Sequence, residues 1–134
     1  MGSLSQFRLD NDKSVEGVWH KFGGGIEVRI ARMHNPEFNK YYEEISEPHL
    51  GQLRRRTADA ETLRALMKQA VAHCLIRDWK GMEDDNGKAI KYSPEKALEI
   101  ISDPANVIFY DFVIDVSASV NLFFEEQKKE SVKN

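Results

Sequence analysis

Two alternating runs meet at three consecutive glycines. Val18, His20 and Phe22 alternate with Trp19 and Lys21 ahead of Gly23-Gly24-Gly25, and Ile26, Val28 and Ile30 alternate with Glu27, Arg29 and Ala31 after them. A period of two sends successive side chains to opposite faces of a strand, and glycine supplies the positive φ a tight reversal needs. The pattern therefore predicts a β-hairpin with one apolar face. It does not predict a phosphate loop, since neither GxGxxG nor Gly-Lys-Ser/Thr is present.

The rest of the chain reads as helix. Asn35-Pro36 is a cap followed by proline at the first helical position, predicting a helix from about Pro36 to Ile45 that Glu47-Pro48 stops. From Ala58 to Lys80, Leu63, Leu66, Met67, Ala70, Val71, Cys74, Leu75 and Trp79 recur at three- and four-residue steps. This predicts one central core helix, a rod of roughly 30 Å. Ser93-Pro94 repeats the cap-plus-proline signal for a short helix ending near Ser102, and Asp103-Pro104 breaks it. A last helix is expected from Pro104 into Glu126, with Ile108, Phe109, Phe112, Val113, Val116, Val120, Phe123 and Phe124 on its apolar stripe. The fold class is α+β and mainly helical: an N-terminal β-hairpin packed on a bundle of about four helices. Residues 1–14 are expected as a flexible arm, 15–124 as a single globular domain and 125–134 as a charged tail.

Composition narrows the function. The 134 residues are 41% hydrophobic and 31% charged, enough for a real core, and the net charge of −3 disfavours nucleic acid or an anionic membrane as the main partner. The most apolar stretch, Val107 to Val116, contains Asp111 and Asp115 and is short for a membrane span. The N-terminus lacks the apolar run of a signal peptide, and the lone Cys74 suits a reducing compartment; the expectation is a cytosolic protein.

Catalytic signals are sparse. His20, His34, His49 and His73 lie in separate contexts without a second ligand at metal spacing, and His73 and Cys74 would point about 100° apart on a helix. Cys74 lies on an apolar stripe and reads as a small buried hydrophobe. The loop Gly81–Gly87 fails as a calcium loop, because Met82 and Ser93 fall where the first and twelfth ligands belong. Asp111 and Asp115 read as the wet side of their helix, and Trp19 and Trp79 adjoin periodic apolar positions. No cofactor and no metal site is expected, and a binding protein fits better than an enzyme. The aromatic surplus supplies the candidate contact residues: Trp19, Phe22, Phe109, Tyr110, Phe123 and Phe124. The basic run Arg54, Arg55 and Arg56 joins them as a site for acidic partners or neighbouring copies.

Particular residues carry a resemblance. The hairpin Val18-Trp19-His20-Lys21-Phe22 with Ile26-Glu27-Val28-Arg29-Ile30-Ala31-Arg32, and then Asn35-Pro36-Glu37-Phe38 with its paired tyrosines, resembles the start of tail assembly chaperones of long-tailed, siphovirus-type bacteriophages. The run Leu75-Ile76-Arg77-Asp78-Trp79-Lys80-Gly81, the turn Asn86-Gly87-Lys88 and the cap Ile90-Lys91-Tyr92-Ser93-Pro94-Glu95 extend the likeness, which covers roughly Val15 to Phe124. Its motifs are structural, not catalytic.

The resemblance implies a non-catalytic role in the host cytoplasm, absent from the mature virion. Such chaperones keep the tape measure protein soluble until tail tube protein polymerises around it. In many of them a ribosomal frameshift makes a longer form that recruits the tube subunit, and this chain looks like the shorter product. The likeness also implies a homo-oligomer. The rival expectation is a virion structural protein of the tail, in a joining or terminator ring; a small enzyme or regulator would need a polar pocket around His20, His73 or Asp111.

Overall fold

The computed structural model describes residues 2–133. The hairpin forms as the alternation requires. Strand β1 (Val18–Gly23) pairs antiparallel with β2 (Ile26–Ile30), placing Val18 opposite Ile30 and His20 opposite Val28. Gly24 (φ +60°) and Gly25 (φ +83°) carry the left-handed turn. Val18, Val28 and Ile30 are fully buried, so the apolar face meets the helices.

Local chemistry also fixes several helices. Asp10 caps α1 (Asn11–Glu16) by accepting from Lys13 N at 3.0 Å. Asn35 caps α2 (Pro36–Ser46), its Oδ1 accepting from Phe38 N at 3.0 Å. After a short 3-10 turn at Glu47–His49 comes α3 (Leu50–Arg54), then α4 (Ala60–Ala70), capped by Asp59. Ser93 accepts from Lys96 N at 3.0 Å at the start of α5 (Pro94–Ser102). The expected α+β, mainly helical class is what the chain adopts.

Both long helices expected from the sequence need correction. The run Ala58–Lys80 is not one helix. α4 ends at Ala70, a single π-helical turn spans Val71–Leu75, and Ile76–Lys80 becomes strand β3. β3 pairs with β2 (Val28 opposite Trp79, Glu27 opposite Lys80), so the sheet has three antiparallel strands in the order β1-β2-β3. Val71, Ala72, Leu75 and Ile76 are fully buried. A run that is apolar on every side carries no helical phase, and the open edge of β2 supplied backbone partners for this segment as a strand. Gly81 ends the strand with φ +75° directly over the hairpin turn; a Cβ there would collide with the Gly25 carbonyl oxygen.

The last helix is divided as well. α6 (Val107–Ala118) stops at Ser119, whose extended backbone (φ −90°, ψ 106°) turns the chain by 81° into α7 (Val120–Lys133). Ser119 Oγ accepts from Leu122 N at 3.2 Å, so one residue closes one helix and caps the next. No single helix among the described residues is long and apolar enough to cross a membrane.

α7 packs along β1 and meets the N-terminal segment. Asp10 N donates to Gln127 Oε1 (2.8 Å) and Gln127 Nε2 donates to the Arg8 carbonyl (3.1 Å). The described part of residues 1–14, expected as a flexible arm, contains a 3-10 turn (Leu4–Phe7) and most of α1, and Arg8 and Asp10 tie it to the far end of the chain. The expected charged tail continues α7 through Lys133; Met1 and Asn134 lie outside the described residues. The core between sheet and helices gathers Val28, Ile30, Phe38, Leu75, Trp79, Ile101 and Val113.

Candidate functional site: a partner-binding surface

The sheet has two unlike faces. On the outer one, Trp19 stands opposite Arg29. The Lys80 ammonium lies 4.0 Å from its ring centroid and the Arg29 guanidinium carbon 5.9 Å away. Trp19 is half-buried under these cations, not in the core where its neighbours in sequence point. Trp79, on the opposite face, is core: its Nε1 donates to the Ile90 carbonyl at 2.7 Å and its ring meets Tyr92 edge-on at 5.0 Å.

The remaining candidates separate by burial. Phe22 packs on Phe109 (ring centroids 5.3 Å apart) and on Phe112 (5.0 Å) where the hairpin tip crosses α6. Phe109 is 7% exposed and Phe123 fully buried, so these two, expected as contact surface, are core residues instead. Phe123 is the anchor that holds α7 down once the chain has turned at Ser119. Tyr110 and Phe124 are half-buried, with Lys68 Nζ 5.5 Å from the first ring and Lys128 Nζ 5.5 Å from the second. Phe124 also meets Phe7 at 6.2 Å. Arg54, Arg55 and Arg56 are all exposed at the end of α3.

What lies open is chiefly aliphatic. Ile108 is 75% exposed, and Val107, Val120 and Leu122 about half exposed, at the first turns of α6 and α7; Leu50 and Leu63 also stand clear. Ile108 and Val120 were expected on the buried stripe. The kink rotates α7 away from the phase a straight helix would have given Val120. The available signal was position: Val107 and Ile108 directly follow the Asp103-Pro104 break, in the first turn of α6, where a helix is least covered by its neighbours.

His20 sits beneath α7, 6% exposed, with no hydrogen-bond partner for Nε2 among the described residues. Burial holds its pKa below the usual histidine value, against an opposing pull from Glu126 and with a smaller push from Lys129. A cleft between β1 and α7 is lined by Trp19, His20, Leu122, Glu126 and Glu130. The Cys74 thiol is buried and its pKa is pushed up to about 11, mainly by desolvation, which keeps it a thiol. Asp84 spends one carboxylate oxygen on its own turn, accepting from Asn86 N and Lys88 N at 2.9 Å each. Asp111 and Asp115 face solvent. Among the described residues no three His, Cys, Asp or Glu side chains converge on a metal position. The arrangement is suited to holding apolar and charged surface against another macromolecule.

Comparison with known proteins gives a match to one family model, YdaY prophage protein, over residues 33–134. The match begins just after β2, so the hairpin lies outside it. No curated protein and no solved structure matches the chain.

Proposed function

The chain belongs to the YdaY prophage protein family, and from that premise we propose that this phage-derived protein is a non-catalytic chaperone of tail assembly. It binds the tape measure protein and keeps it soluble while the tail is built. The observation that supports this reading most is the set of open aliphatic side chains on helix starts, Val107 and Ile108 on α6 with Val120 and Leu122 on α7. They are bordered by charged residues such as Asp111 and Glu125. An amphipathic client helix is recognised by apolar surface with a polar rim, and many weak contacts along one long client add up through multivalency. Trp19, Tyr110 and Phe124, each beside a cation, offer further rings that are partly open. In this reading the protein acts in the host cytoplasm, works alongside a longer frameshifted form and the tail tube protein, and is left out of the mature virion.

Co-expression with the tape measure protein of the same prophage, followed by size-exclusion chromatography with light scattering, tests it. A soluble complex with several copies of this chain per client that precipitates alone is the expected result. An insoluble client, with this chain eluting alone as a closed ring and found in purified particles by mass spectrometry, would replace the chaperone with a tail structural protein.

A further inference from the structure

The segment from Glu43 to Arg56 separates its charges by sign. Glu43 and Glu44 lie in the last turns of α2, and Glu47 opens the 3-10 turn that follows; Arg54, Arg55 and Arg56 close α3. All six side chains are exposed, and none takes part in an ion pair among the described residues. Arg55 makes the only side-chain hydrogen bond of the six among the described residues, donating from Nε to the Gly51 carbonyl at 3.1 Å.

The placement of the acids is unfavourable for an isolated chain. A helix C-terminus carries a partial negative charge, and α2 has no basic residue in its last turn to answer it. The three glutamates line a groove of about 560 Å³ whose apolar part is formed by Tyr42, Leu50 and Leu53, and Arg54, Arg55 and Arg56 follow directly after Leu53 along the chain. Leu50 is 40% exposed, and α3 has only five residues, too short to be stable without packing against something.

We propose that this groove is closed by the same groove of a second copy, through a two-fold contact in which Glu43, Glu44 and Glu47 of each chain meet Arg54, Arg55 and Arg56 of the other. A two-fold contact needs a surface complementary to itself. Along this segment three acids precede the leucines and three arginines follow them, an order that can meet itself antiparallel with its charges cancelled. A basic client helix would satisfy the glutamates but leave the arginines uncovered, so the second copy accounts for more of the surface. The residues engaged on each chain are fewer than the roughly 20–30 a side of a standard interface. Its affinity is therefore expected to be micromolar or weaker, and salt-sensitive. The proposal stands apart from the identity of any client.

Sedimentation velocity from about 1 µM to about 1 mM chain, at low and at high salt, tests it. The expected result is a monomer–dimer equilibrium that weakens as salt rises. The chain carrying Glu43→Arg, Glu44→Arg and Glu47→Arg, and separately the chain carrying Arg54→Glu, Arg55→Glu and Arg56→Glu, should each dimerise at least about tenfold more weakly. Mixed together, they should form a one-to-one heterodimer of at least wild-type affinity, a rescue that misfolded variants could not give. Each of three results overturns the proposal: a wild-type chain that stays monomeric throughout, variants that associate as the wild type does, or a mixture that grows into longer polymers. A lysine-rich peptide that binds the monomeric chain in place of a second copy would assign the groove to a basic partner instead.

Discussion

Two runs with the same kind of apolar pattern end differently. Ala58–Lys80 and Pro104–Glu126 each read as one long helix, and each is divided. The first division changes the type of structure: helix gives way through a π-turn to a strand that completes the sheet. The second keeps helix on both sides and changes only direction, by 81°. β3 is built into the sheet and strapped from the loop beyond, through Trp79 to the Ile90 carbonyl and through the Tyr92 hydroxyl, which donates to the Ile76 carbonyl at 2.6 Å. α7 is held by one fully buried ring, by its contact with β1 over His20, and by the Gln127 bonds to the N-terminal segment. The comparison separates a break that belongs to the core from one that makes a limb.

Removing the anchor on each side tests that difference most strongly. Trp79→Ala should cost about 3–5 kcal/mol and lower the whole urea transition, since it empties the core and frees the Ile90 carbonyl. Phe123→Ala removes a ring of similar burial, but its loss should be local: amide hydrogen exchange should rise across 120–133 while 76–80 stays protected. Equal deprotection of both segments by Phe123→Ala would show that α7 is as much a part of the core as β3.

A smaller effect is expected at the elbow itself. Ser119→Ala removes the side-chain cap on Leu122 N and should cost about 1 kcal/mol, read as a lower thermal midpoint and faster exchange in the first turn of α7. No change would mean that packing alone turns the chain.

His20 gives the finest probe, because it responds to pH. Its folded pKa is held below the ordinary value of 6.5, chiefly by burial. Above that value both folded and unfolded forms are neutral, and the group leaves stability unchanged. As pH falls below 6.5 toward the folded pKa, the unfolded chain binds the proton first and stability drops. Thermal midpoints between neutral and mildly acid pH should therefore fall more for the wild type than for His20→Leu. Parallel curves would mean that burial does not lower the His20 pKa.

Much was legible in the sequence where short-range chemistry decides. The hairpin followed from alternation and glycine, and α2 and α5 from Asn35-Pro36 and Ser93-Pro94, because a cap and a fixed proline φ act within a few residues. The candidate surface was less legible. Counting aromatics selected Phe109 and Phe123, which are buried, and passed over Val107 and Leu122, which are open. Large rings fill a core efficiently, so an aromatic surplus on a helix with apolar residues on most sides says little about which of them remain outside.

The sequence by itself determined the strand-forming faces, the helix starts and the charge segregation between Glu43 and Arg56, since each depends on residues close along the chain. Tertiary structure decided that Ile76–Lys80 would be a strand, that Ser119 would be an elbow and that Phe123 would face inward. In both long runs the apolar residues leave several local conformations close in energy. The choice among them fell to distant partners, the open edge of β2 for one and the flank of β1 for the other, through backbone hydrogen bonds and buried area that no local window contains.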